Sequence, residues 1–206
     1  MNGVRVKICG ITRSVDIQAA VRAGVDALGF VFAQRSKRVL EPSLAAELVA
    51  QVPAFISRVG LFMDQDSDAV ASVLDRVPLN LLQFHGTEDA AYCRQFRLPY
   101  IKAVSMVSDQ AVQQALDEYP DAAALLLDSH APGGVGGTGV VFDWSMIPAA
   151  SMPLVLAGGL RPGNVRQAVA QVKPWAVDVS SGVEDTPRIK NEELMREFIQ
   201  EAKREY

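Results

Sequence analysis

The sequence predicts an α/β protein folded as a single (β/α)8 barrel spanning residues 1–206, and three observations predict it. Short apolar runs rich in β-branched residues alternate with longer amphipathic stretches from one end of the chain to the other. Eight such runs are present, and they recur roughly every 25 residues, the spacing of βα units in a barrel near its lower size limit. Parallel strands require helical crossovers, and eight of them close a sheet. An open doubly wound sheet is the runner-up. It normally uses fewer strands, and its dinucleotide-binding form wants a Gly-x-Gly-x-x-Gly turn after the first strand, where this chain reads Cys9-Gly10-Ile11-Thr12.

The strands are expected at Val4–Gly10, Asp26–Phe32, Ser57–Asp64, Asn80–Gly86, Tyr100–Ser105, Ala123–Ser129, Pro153–Gly159 and Trp175–Gly182. Helical patterns occupy Val15–Ala23, Ser43–Val52, Ser67–Val77, Asp89–Phe96, Asp109–Glu118, Pro162–Val172 and Asn191–Lys203, and the sixth crossover carries only a weak helix near Trp144–Ile147. Asp66, Ser67 and Asp109 suit helix starts, and Gly24 suits the end of the first helix. The formal charge of −4 is mild and the cations are scattered, which argues against nucleic acid as a partner. No leader-like apolar run opens the chain, and no segment approaches the ~18 apolar residues of a membrane span, so a cytoplasmic protein without membrane contact, acting as a monomer, is expected. Cys9 and Cys93 are too few for a disulfide framework and lack partners at metal-ligand spacing, so no metal is expected. Cys93, on the fourth helix, is expected to be replaceable at little cost.

In such a barrel the chemistry sits where strands end and βα loops begin. On the first strand Val4, Val6 and Ile8 share the helix-facing side, so Arg5, Lys7 and Cys9 point inward with Cys9 uppermost. A lone cysteine is more often a small buried hydrophobe than a catalyst. The sixth strand ends an apolar run in Asp128, in phase with Ala124 and Leu126, although an acid there can simply cap a turn. Gln83 and His85 share a face at the end of the fourth strand, where His85 suits a base or an uncharged hydrogen-bonding role. Asp178, in phase with Ser180 on the eighth strand, is a rival to Asp128 but lies deeper.

A phosphorylated small molecule is the expected ligand. Gly158-Gly159 after the seventh strand and Ser181-Gly182 after the eighth let backbone N–H groups approach an oxyanion, and barrels often bind phosphate there. The stretch Gln34-Arg35-Ser36-Lys37-Arg38 gathers cations after the second strand, where an arginine fork can hold a carboxylate, against the bland alternative of a solvated loop. The glycine-rich loop containing Gly136 and Gly137 suits a lid over phosphate, or an ordinary flexible loop.

Taken together, Val6-Lys7-Ile8-Cys9-Gly10-Ile11-Thr12, Gly29-Phe30-Val31-Phe32 with Ser36-Lys37-Arg38, Gln83-Phe84-His85-Gly86, Leu127-Asp128-Ser129, Gly136-Gly137-Thr138-Gly139 with Phe142-Asp143-Trp144, Ala157-Gly158-Gly159-Leu160 and Asp178-Val179-Ser180-Ser181-Gly182-Val183-Glu184 closely resemble the phosphoribosylanthranilate isomerase family of tryptophan biosynthesis. The resemblance implies a cofactor-free Amadori rearrangement, with Cys9 as general base, Asp128 as general acid, Arg38 on the anthranilate carboxylate, and the glycines and serines after strands seven and eight on the phosphate. Gln83, His85 and Asp178 are the remaining candidate substrate-binding residues, and Lys7 is expected to lower the Cys9 pKa while burial or Asp178 raises that of Asp128. Rival readings are another phosphosugar barrel isomerase working with two carboxylates, and a non-catalytic phosphate-binding barrel, which would keep the glycine loops without needing both Cys9 and Asp128.

Overall fold

The computed structural model describes residues 3–106, 108, 110–129 and 144–204, with Met146 by its backbone alone. Eight parallel strands, β1 (Arg5–Cys9), β2 (Ala27–Val31), β3 (Ser57–Phe62), β4 (Leu81–Phe84), β5 (Tyr100–Ser105), β6 (Ala124–Asp128), β7 (Leu154–Leu156) and β8 (Ala176–Val179), follow one another round a closed barrel, β8 pairing back onto β1. The crossovers carry α1 (Ser14–Ala23), α2 (Pro42–Val49), α3 (Ser67–Leu74), α4 (Ala90–Arg94), α5 (Gln110–Glu118) and α6 (Pro162–Val172), and α7 (Glu192–Lys203) packs on α6 and α1. Among the described residues the sixth crossover shows only a 3₁₀ turn at Trp144–Met146, matching the weak pattern expected there. β5 spans its expected run, and the other seven strands are shorter than theirs, because the ends of those runs lie beyond the paired part of the barrel, in the loops at its two ends.

Helix ends follow local chemistry. Gly24 closes α1 in the left-handed region at φ 87° and donates its N–H to Ala20 and Val21 carbonyls. Asp66 caps α3 by accepting the Ala69 N–H at 2.7 Å, with Ser67 as the first helical residue. Asp89 and Asn191 cap α4 and α7 in the same way; Asp109 lies outside the described residues.

Period-two alternation divides the apolar residues into two cores. Val6, Ile8, Leu28, Phe30, Leu82, Phe84, Leu125, Leu127, Val177 and Val179 meet the helices, while Ile101, Ala124, Leu126, Val155, Ala157 and Ala176 fill part of the barrel interior. Arg5 lies at the opposite end of the barrel from the mouth, its guanidinium 4.3 Å from the Trp175 ring centroid. Cys93 is fully buried in the outer core with its thiol pushed up to about 12 by burial, so a polar or larger replacement there is less innocuous than its isolation in the sequence implies.

Two polar features were not anticipated. Between β4 and β5, Lys102 and Glu88 form a buried ion pair at 2.9 Å. Lys102 also donates to the Gly86 carbonyl, and the Glu88 carboxylate accepts the N–H groups of Asp64 and Gly86, tying the loops after β3 and β4 together. Between β8 and α7 an antiparallel hairpin, β9 (Glu184–Thr186) with β10 (Ile189–Lys190), turns at Pro187-Arg188, Arg188 taking φ 79°. No helix among the described residues is long and apolar enough to cross a membrane.

Candidate active site

One cavity opens at the C-terminal mouth of the barrel, and it gathers the strand-end residues of β1, β4, β6 and β8. Cys9, Arg38, Gln83, His85, Asp128, Gly158, Gly159, Asp178, Ser181 and Gly182 all line it. Gly136 and Gly137 lie outside the described residues.

The interior face of β1 places Lys7 one pleat below Cys9. In the β1–β8 register Lys7 stands opposite Asp178, and their side chains form a buried ion pair at 3.0 Å. Opposite Cys9 on the other side is Gly29 of β2. A Cβ at Gly29 would stand 2.8 Å from the Cys9 Sγ and 3.0 Å from its Cα, so the thiol occupies the space a side chain would take. Gly29→Ala is therefore expected to destabilise the fold by about 1–3 kcal/mol through overpacking, checked by thermal denaturation. Val31, Ala33, Leu61 and Met63 complete an apolar collar around Cys9.

Burial pushes the Cys9 thiol above its ordinary range; Lys7 pulls it down, Asp178 pushes it up again, and Lys190 draws it down. Lys7 pulls in the direction expected of it, but the net direction is upward, because the collar strips water from the sulfur and Asp178 offsets part of the Lys7 charge. Burial pushes the Asp178 carboxyl up against the pull of Lys7, and the nearby Asp128 charge adds to the rise. Lys7 itself stays an ammonium: burial works against its charge, but Asp178 and Cys9 outweigh burial.

Across the mouth, Asp128 ends β6, buried within the cavity wall. His85, just past β4, brings its Nε2 to 3.4 Å from Asp128 Oδ2, and its Nδ1 lies 3.1 Å from Gln83 Nε2. The Gln83 amide nitrogen can only donate, so Nδ1 is the acceptor of that pair and Nε2 is the ring nitrogen turned toward Asp128. Gln83 and His85 therefore form a tether to Asp128 as well as part of the cavity wall.

At the β7 and β8 ends Gly158 and Gly159 take φ 80° and 66°, turning the chain tightly. A Cβ at Gly182 would lie 1.9 Å from the Leu160 carbonyl oxygen, so the two turns touch through backbone there and tolerate no side chain. Ser180 Oγ donates to the Cys9 carbonyl at 3.0 Å, locking the β8 turn onto the β1 end.

The basic loop after β2 divides its cations. Lys37 is exposed, whereas Arg35 and Arg38 line the cavity. The Arg38 fork was expected to meet a ligand carboxylate; here it meets Glu184, with Nε–Oε1 at 2.8 Å and Nη2–Oε2 at 2.5 Å. In the sequence Glu184 stands within a motif with nothing to mark its partner, and no signal near Lys190 marks a site.

Comparison with known proteins places this geometry. The model of the family "N-(5'phosphoribosyl)anthranilate (PRA) isomerase" matches residues 6–201. The N-(5'-phosphoribosyl)anthranilate isomerases of Marinomonas sp. (strain MWYL1) and Pseudomonas fluorescens (strain Pf0-1) are 52% and 50% identical over 200 residues, each match covering 97% of this chain and 98% of the relative. The crystal structure of phosphoribosyl anthranilate isomerase from Thermotoga maritima superposes with a TM-score of 0.86 at 40% identity, covering 97% of this chain and 98% of that one. A crystal structure of phosphoribosyl anthranilate isomerase in complex with reduced 1-(o-carboxyphenylamino)-1-deoxyribulose 5-phosphate superposes at 0.83 with 39% identity, covering the same shares. Likeness over nearly the whole length of both partners, in sequence and in shape, means that the chain belongs to the N-(5'-phosphoribosyl)anthranilate isomerase family.

Proposed function

We propose that the chain isomerises N-(5'-phosphoribosyl)anthranilate to 1-(o-carboxyphenylamino)-1-deoxyribulose 5-phosphate, with Asp128 as general acid and Cys9 as general base. The observation that carries this reading is the shared cavity: a thiol from β1, a carboxyl from β6, an arginine fork, the Gly158-Gly159 turn and the Ser181-Gly182 turn all line one space. Each group matches a part of the substrate. The turns at Gly158-Gly159 and Ser181-Gly182 present backbone N–H groups to the phosphate, and Arg38 takes the anthranilate carboxylate.

Between these anchors lies the ribose. Asp128 gives its proton to the ring oxygen as the C1–O bond breaks, and the nitrogen lone pair forms the C1=N bond of a protonated Schiff base. That cation makes the C2 hydrogen acidic. Cys9 thiolate takes the C2 proton, and the electrons of the C–H bond neutralise the nitrogen, leaving an enolamine. Proton return to C1 and loss of the O2 proton give the ketone, so the product is an isomer of the substrate and no electron acceptor is consumed. His85, tethered by Gln83, holds the Asp128 carboxylate that remains after the first proton leaves, and Lys7 is the cation that favours the Cys9 thiolate.

The experiment is a pH profile of kcat/KM on N-(5'-phosphoribosyl)anthranilate for the natural protein and for Lys7→Met. Burial already sets the Cys9 thiol high and Lys7 opposes it, so removing the ammonium raises the thiol further. The limb on which activity grows with thiolate is expected to move to higher pH in Lys7→Met. An unmoved limb removes Lys7 from the mechanism, and a natural protein that does not isomerise this substrate removes the function.

A further inference from the structure

The β9–β10 hairpin takes no part in closing the barrel, yet it carries two charges almost out of water: the Lys190 side chain is 0% exposed and that of Glu184 4%. Burying charges is costly unless they are paired and hydrogen-bonded, and these are. Glu184 Oε1 accepts from Arg38 Nε at 2.8 Å and from Lys190 Nζ at 2.9 Å, while Oε2 accepts from Arg38 Nη2. Lys190 Nζ also donates to the Ser180 carbonyl at 3.0 Å, and Ser180 Oγ donates to the Cys9 carbonyl. An unbroken chain of hydrogen bonds therefore runs from the Arg38 fork, through the hairpin, to the backbone of Cys9.

The rest of the hairpin grips the flanks of Arg38. Arg188 Nη1 donates to the carbonyls of Lys37 and Val39, the residues on either side of Arg38. Thr12 and Arg13 donate to the Arg188 and Lys190 carbonyls, fastening the hairpin to the loop after β1. The Arg38 stem lies over Gly10, where a Cβ would stand 2.3 Å from Arg38 Cδ at a backbone φ of +78°. Burial pushes the Glu184 carboxyl up, but Arg38 and Lys190 outweigh burial and hold it below the usual range, so it remains a carboxylate at neutral pH. Burial pulls the Lys190 ammonium below its ordinary range and Glu184 opposes that pull, so the one carboxylate of Glu184 faces both the Arg38 guanidinium and the Lys190 amine beside the cavity. Among the hydrogen bonds of the described residues, Glu184 occupies the Nε and Nη2 nitrogens and none is made by Arg38 Nη1.

We propose that Glu184, braced by Lys190, is a positioning residue that determines specificity for an aryl carboxylate: it fixes one edge of the Arg38 fork and leaves the Nη1 end to complete the pairing with the carboxylate of the ligand. The proposal rests on Arg38 being the carboxylate-binding residue, and the test separates the two. KM and kcat on N-(5'-phosphoribosyl)anthranilate, and the affinity for reduced 1-(o-carboxyphenylamino)-1-deoxyribulose 5-phosphate, are measured for the natural protein, Glu184→Gln, Arg38→Ala and the double variant. Loss of a hydrogen bond to a charged group corresponds to about ten- to hundred-fold. Glu184→Gln is expected to raise KM and weaken the analogue by about that factor with kcat changed by less than about threefold, and to add less than about twofold in the Arg38→Ala background. Unchanged affinity in Arg38→Ala overturns the reading of Arg38. Weakened affinity in Arg38→Ala with none in Glu184→Gln, or the same loss from Glu184→Gln in both backgrounds, overturns the positioning role. Glu184→Asp keeps a counter-charge for Lys190 while retracting the carboxylate by one methylene; it is expected to show the same rise in KM, serves if Glu184→Gln does not fold, and a natural KM in it also overturns the proposal.

Discussion

An Asp128→Asn enzyme is expected to lose about 10²- to 10⁴-fold in kcat, the usual share of a positioned acid, while its affinity for the reduced product analogue stays within a few-fold of the natural protein. The amide keeps the size and hydrogen-bonding capacity of the carboxyl but has no proton of useful acidity for the ring oxygen. Cys9→Ser is expected to fall by a similar factor, because a serine hydroxyl in an apolar collar is far harder to ionise than the thiol it replaces. Single-turnover rates measured alongside analogue titrations check both. If Asp128→Asn turns over at close to the natural rate, the acid is another group in the mouth, and Asp178, whose carboxyl burial and Asp128 push upward, is the first alternative.

A large loss of stability is also expected away from the chemistry. Lys102→Met removes one half of a buried ion pair whose acid, Glu88, also holds the loops after β3 and β4 through the Asp64 and Gly86 N–H groups. Leaving a buried carboxylate without its cation costs about 3–5 kcal/mol, or a fall in Tm of roughly 10 °C for a chain of this size. Adding Glu88→Gln to Lys102→Met is expected to recover part of that loss, since the uncompensated charge goes with it. Equal melting temperatures for the natural protein and Lys102→Met would mean that the pair contributes nothing.

What was legible in the sequence was whatever depends on period two and on strand order. Val6 and Ile8 are apolar in phase, so they face the helices, and Lys7 and Cys9 are then forced inward; the same alternation sends Asp128 and Asp178 into the mouth. Closure of the barrel follows from counting eight βα units and needs no knowledge of side-chain contacts. Partnerships set by register were hidden. Lys7 meets Asp178 only because β1 and β8, 171 residues apart at that pair, align those two positions, and the net rise of the Cys9 pKa depends on how completely neighbouring elements exclude water. The β9–β10 hairpin was invisible for a simpler reason: strands of three and two residues are too short to display an alternation. Hence Glu184 appeared only as one letter of a motif and Lys190 not at all, although Glu184 is buried between Arg38 and Lys190.

Convergence of Cys9 and Asp128 on one phosphosugar is tested most directly by following anthranilate fluorescence in a single turnover of freshly generated N-(5'-phosphoribosyl)anthranilate with excess natural protein, Cys9→Ser and Asp128→Asn. The account predicts rapid decay with the natural protein and decay slower by orders of magnitude with each variant, although both still bind the reduced product analogue. Decay no faster than in buffer, or equally fast with Cys9→Ser, would contradict it.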